Sequence, residues 1–71
     1  MSGTVVTLTL NGKPREFAAA THLDELIDQL GVNRRLVAVA HNGEVVPRDR
    51  YGEVALNDGD RVEVVRMVGG G

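Results

Sequence analysis

Val6–Gly31 reads VTLTLNGKPREFAAATHLDELIDQLG, and two different periods meet inside it. Val6, Leu8 and Leu10 alternate with Thr7 and Thr9, the period of two that a half-buried strand imposes. Asn11-Gly12 follows. Both central residues of a tight hairpin need φ > 0, which Asn and Gly tolerate best. The chain then returns through Arg15 to Ala18. Pro14 has no N–H to donate, which places the returning strand at a sheet edge. From Leu23 the period changes. Leu23, Leu26, Ile27 and Leu30 stand at i, i+3, i+4 and i+7, one face of a helix. Asp24, Glu25, Asp28 and Gln29 take the other faces. Thr21 with Asp24 offers a capping box, and His22 with Glu25 offers another one residue later. Acidic residues in the first turn complement the positive helix end. Gly31 is an αL stop, after which Val32 folds back on the last turn. The predicted helix is about ten residues long, roughly three turns.

Beyond the helix the strand pattern resumes. Leu36 to His41 reads as a strand, with Val37 and Val39 facing the core. Asn42-Gly43 repeats the tight-turn signal, Val45-Val46 continues as a short strand, and Pro47 ends it. Pro47 to Tyr51 reads as a turn or short 3₁₀ segment. Val54 to Leu56 is a brief extended piece, and Asn57-Asp58-Gly59-Asp60 is a strong turn. Arg61 to Met67 is the last strand, with Val62 and Val64 inward. Val68-Gly69-Gly70-Gly71 has no reason to fold. The chain therefore divides into a folded domain, residues 1–67, and a Gly-rich tail, residues 68–71.

Composition excludes several functions. The 71 residues make one small domain. No Cys is present, so there is no disulfide framework, thiolate metal site or Cys nucleophile. Net charge is −2 with both signs interspersed, and no Lys/Arg stripe exists to bind nucleic-acid phosphates. Phe17 and Tyr51 are the only aromatics, too few for a base-stacking platform. No apolar run approaches a membrane span, and the first residues lack the charged-then-apolar order of a signal peptide. The expected location is the cytoplasm. His22 and His41 lie far apart in the pattern and read as solvated or partly packed. Asp58 and Asp60 flank a turn glycine and lack the further oxygen ligands of a calcium loop. No catalytic residue, metal site or phosphate-cradling loop is expected.

Three segments together look like the ThiS-type, ubiquitin-like sulfur carriers of the thiamine pathway. The first is Leu8-Thr9-Leu10-Asn11-Gly12 followed by the Leu23 to Leu30 helix. The second is Asn42-Gly43-Glu44-Val45-Val46-Pro47-Arg48, with Tyr51 three residues on, where the family often has Trp. The third is Leu56-Asn57-Asp58-Gly59-Asp60-Arg61-Val62, leading through Val64-Val65 to Val68-Gly69-Gly70-Gly71. The resemblance implies an α+β, β-grasp (ubiquitin-like) fold. Four to five strands would form a mixed sheet, the last strand parallel to the first, with one helix on one face. It also implies a mechanism in which the chain is a protein co-substrate rather than an enzyme. A ubiquitin-activating-type adenylating enzyme, using ATP, activates the Gly71 carboxylate. Sulfur from a cysteine desulfurase or other persulfide donor makes a thiocarboxylate, and thiazole synthase accepts the sulfur. The carrier itself binds no cofactor.

The physics of the tail agrees. Gly69 and Gly70 carry no side chain, so they can thread a narrow channel with any φ. Such a run stays extended and mobile until bound, and a folded body that docks nearby offsets the ordering cost. Taken alone, a Gly-rich end also reads as a simple frayed terminus. Val65 and Met67 break the inward alternation of the last strand. With Ala40, Arg66 and Val68 they make a candidate docking surface on the sheet face that the helix leaves bare. Alternatives are a carrier for molybdopterin, cysteine or tRNA thiolation, or a non-carrier β-grasp binding module. The aromatic and Pro residues of the molybdopterin family are absent before this Gly-Gly.

Overall fold

The computed structural model describes residues 5–67. Strands β1 (Val5–Leu10), β2 (Lys13–Ala18), β3 (Val37–His41), β4 (Glu44–Val46) and β5 (Arg61–Arg66) form one sheet in the order β2-β1-β5-β3-β4. Among the described residues one α-helix, α1 (Leu23–Leu30), connects the two hairpins. The β1–β5 pairing is parallel and every other pairing is antiparallel. This is the mixed, five-stranded β-grasp arrangement.

Local chemistry explains the elements. Asn11 and Gly12 take φ of 51° and 83°, and Asn42 and Gly43 take 52° and 89°. Both are left-handed pairs that join strands through two residues. β2 begins at Lys13, two residues earlier than its side-chain pattern indicated. Pro14 sits within it, opposite Thr9, on an outermost strand, where a missing N–H is harmless. The helix has eight residues rather than about ten. His22 is its N-cap, and the His22 N–H donates to Glu25 Oε1 at 2.7 Å. Of the two possible boxes the later one forms. Thr21 is occupied elsewhere: its hydroxyl donates to the Ala18 carbonyl at 2.6 Å, and its own carbonyl accepts the Leu56 N–H at 3.0 Å. Gly31 closes the helix at φ 74°.

Three expected boundaries move. Arg34–Leu36 is a 3₁₀ turn, so β3 starts at Val37 and not at Leu36. The cause is Asn33, whose side chain accepts the Arg35 N–H at 2.9 Å and nucleates the turn. Val54 to Leu56 makes only an isolated bridge, between Ala55 and His22. β5 ends at Arg66, although the Met67 N–H still donates to the Leu36 carbonyl at 2.8 Å.

The core lies between α1 and one sheet face. Leu8, Leu10, Phe17, Val37, Val39 and Val62 from the strands enclose Leu23, Leu26 and Ile27 from α1. Tyr51, in a 3₁₀ segment over Arg48–Glu53, and Leu56 close the remaining side. Val32 packs against this cluster, as the fold-back after Gly31 predicts. Among the described residues no helix is long and apolar enough to cross a membrane.

Candidate functional site

Side-chain parity along β5 decides what surrounds its C-terminal end. Val62 and Val64 pair with His41 and Val39 and face the helix. Glu63 and Val65 pair with Ala40 and Ala38 and face outward. Outward along β1 and at the start of β5, the apolar Val5 is followed by polar Thr7, Thr9 and Arg61. Toward the end of β5 the same face turns apolar. Val65 is 60% exposed and Met67, just past the strand, 55%. Leu36 is 50% exposed and is held beside Met67 by the Met67 N–H bond to its carbonyl. Val45, opposite Ala40 on β4, is 75% exposed. A bare apolar surface thus gathers around the last described residues, the kind of patch that marks an interaction site.

Of the residues expected on this surface, Ala40, Val65 and Met67 share it. Arg66 does not: it is exposed, but its register opposite Val37 places it toward the helix side. One residue along a strand reverses the face, so Arg66 flanks the patch instead of lining it. Val68, Gly69, Gly70 and Gly71 lie outside the described residues. Leu36, Ala38 and Val45 join the surface without having been singled out from the sequence. Strand parity was a usable signal for Ala38 and Val45. Leu36 carried the same signal, since a strand read from Leu36 with Val37 and Val39 inward turns it outward, and the Asn33-capped 3₁₀ turn ends the regular strand just short of it.

The other conspicuous polar groups serve the fold. His41 and Asp60, nineteen positions apart, meet at 2.7 Å between Nε2 and Oδ2. The Asn57 N–H reaches Asp60 Oδ2 at 2.9 Å and the Asn42 amide reaches Oδ1 at 3.2 Å. Burial pushes the Asp60 carboxyl up, but the His41, Asn57 and Asn42 hydrogen bonds outweigh it and hold the group below its ordinary value. An ionised carboxylate only accepts, so His41 Nε2 carries the proton of this bond. The pair pins the turn before β5 to the end of β3. Asp58 does similar work, with Oδ1 accepting the Thr7 N–H at 2.8 Å. His22 sits at the helix start, far from His41, and lies 3.8 Å from Glu25 Oε1. A cleft of about 470 Å³ opens beside β4, lined by His41, Glu44, Arg50 and Glu53. Arg50 and Glu53 lie 3.4 Å apart there. Among the described residues no group of three or more His, Asp or Glu side chains gathers to hold a metal ion.

Comparison with known proteins gives these features a context. The sequence model of the ThiS family matches residues 8–71. The chain is 37% identical over 65 residues to the sulfur carrier protein ThiS of Bacillus subtilis, covering 90% of this chain and 98% of that one. It is 47% identical over 64 residues to a thiazole synthase of Paramagnetospirillum magneticum. That match covers 90% of this chain but spans only 20% of the synthase. The crystal structure of the thiamine biosynthesis protein ThiS from Geobacter metallireducens superposes with a TM-score of 0.81 at 38% identity. It covers 93% of this chain and 100% of that one. The match to the ThiS model takes in the hairpin, the helix, the last strand and the glycines together, and on that ground the chain belongs to the ThiS family.

Proposed function

We propose that this chain is a sulfur carrier in thiamine biosynthesis, working through the carboxylate of Gly71. The observation that carries the reading is the family match, which runs the length of a named sulfur carrier and extends through the glycines to residue 71. In the proposed cycle an adenylating enzyme binds the folded body and admits Gly69-Gly70-Gly71 to its ATP site. A Gly71 carboxylate oxygen attacks the α-phosphorus of ATP, and pyrophosphate leaves. The terminal sulfur of a persulfide donor, such as a cysteine desulfurase, then displaces AMP from the acyl-adenylate. A second thiolate attacks the donor cysteine's sulfur, forming a disulfide with it as the S–S bond to the carrier breaks and the thiocarboxylate leaves, which thiazole synthase takes as its sulfur source. The matched domain makes up a fifth of a bacterial thiazole synthase, which supports that enzyme as the acceptor.

The carrier holds no cofactor and performs no catalysis in this reading; ATP belongs to the partner. Ala40, Val65 and Met67, with Leu36 and Ala38, supply the apolar docking face. Arg66 at its flank meets acidic groups on the partner, and Val68 leads into the tail. Incubation with ATP, the adenylating enzyme and a persulfide donor, followed by whole-protein mass spectrometry, tests the reading. The expected product has one oxygen exchanged for sulfur, and removal of Gly71 abolishes both this product and pyrophosphate release. Undiminished pyrophosphate release from the shortened chain refutes Gly71 as the acceptor.

A further inference from the structure

β1 accompanies β5 for only two ladder positions, Thr9 with Arg61 and Leu10 with Val62. It then turns away at Asn11-Gly12, while β5 continues to Arg66. The gap is filled by one side chain. The Asn11 backbone N–H donates to the Val62 carbonyl at 2.9 Å. Its side-chain Oδ1 accepts the Val64 N–H at 2.8 Å, and its Nδ2 donates to the Val64 carbonyl at 3.2 Å. The carboxamide thus stands in for the next peptide unit of β1. A turn residue at φ 51° has no need of these contacts, since Gly meets the same backbone requirement.

The other hairpin asparagine acts on the opposite side of β5. Asn42 donates its N–H to the Arg61 carbonyl at 2.7 Å, and its Oδ1 accepts the Arg61 N–H at 2.8 Å. β5 is therefore gripped at its start by Asn42 and at its middle by Asn11. Past Val64 the described contacts of β5 come from β3 and Leu36: Ala38 with Val65, Val37 with Arg66, and Leu36 with Met67. Asn11 is the last hold on the β1 side before the exposed Val65 and Met67 and the four residues that follow.

We infer that Asn11 is a positioning residue for the end of β5, its side-chain amide fixing Val64 so that Val65 and Met67 are presented in one direction. This rests on the carrier reading. Asn11→Gly keeps the left-handed turn and removes the amide. In the adenylation assay its KM as protein substrate should rise roughly five-fold, the size expected of one net hydrogen bond, with kcat unchanged. The tail reacts normally once bound, but the docking segment must first be ordered. Asn42→Gly removes the equivalent grip far from the tail, and should lower the melting temperature while leaving KM alone. Amide exchange of the unaltered protein gives a check that needs no variant. The Val64 N–H should be protected although it lies outside the β1–β5 ladder. A freely exchanging Val64, or an unchanged KM for Asn11→Gly, overturns the inference. Absence of pyrophosphate release from the unaltered chain fells the carrier reading itself, and this inference with it.

Discussion

Asp60 shows how one residue can be both a turn former and a fastener. Its backbone N–H bonds the Asn57 carbonyl at 3.0 Å and its carbonyl accepts the Thr9 N–H at 2.9 Å. Its carboxylate gathers His41, Asn42 and the Asn57 N–H around a side chain only 12% exposed. These partners favour the charged form, so the folded-state value lies below the ordinary 3.8. The sign of the pH effect follows. The stabilisation is complete above the unfolded-state value and drains away as pH falls through the lower folded-state value. Asp60→Asn should therefore lower stability at pH 7 by about 1.5–3 kcal/mol, the range for hydrogen bonds to a charged group. The gap between variant and parent should close as pH drops below about 4. Urea titrations at several pH values measure this, and a gap that widens in acid contradicts the assignment of Asp60 as the titrating fastener.

At the scale of elements the helix is the clearest case. Leu23, Leu26 and Ile27 are fully buried on one stripe of α1, the stripe their spacing marks out. Leu26→Ala should cost about 2–5 kcal/mol through lost burial and the cavity left behind, which approaches the whole stability of a domain this small. A thermal melt unchanged by this substitution would mean that the helix packs by another face. What the sequence made legible divides along the same line. Both Asn-Gly hairpins, the helix stripe and the Gly31 stop are local chemistry, and each stands in the structure where its residues put it. The parallel pairing of β1 with β5 joins residues about fifty positions apart, beyond the reach of any period, and only the family resemblance implied it. The His41–Asp60 pair was missed for that reason, since neither residue's neighbours announce the other. Thr21 looked like a cap because its spacing to Asp24 is right. Its hydroxyl bonds Ala18 instead, since the Leu56 N–H fixes the Thr21 carbonyl and leaves the helix to begin one residue later.

On the scale of the whole molecule, one eight-residue helix covers one face of a five-stranded sheet and leaves the other in water. That bare face is mixed, with Glu16, Thr7, Thr9, Arg61 and Glu63 polar and Val5, Ala38, Ala40, Val45 and Val65 apolar. Its apolar end lies at Val65, Met67 and Leu36, beside the point where residues 68–71 begin. An extended chain of four residues reaches at most about 14 Å, so a partner that captures Gly71 in a closed site must stand close to this end of the sheet. Docking there would remove exposed apolar area from water at about 25 cal/mol per Å², less the entropy of association. Met67→Asp puts a charge into the middle of that contact while touching none of the buried core. It should weaken binding to the proposed adenylating partner at least ten-fold and shift the melting temperature little, because surface substitutions are usually within about 0.5 kcal/mol. Val5 provides the control. It is 53% exposed on the same face, but on β1, which β5 separates from β3. Val5→Asp should leave the affinity unchanged. If the partner docks on the whole face both variants fail alike, and if it docks on the helix side both bind normally. Only a loss confined to Met67→Asp places the contact at the end of β5, next to the glycines of the proposed acceptor.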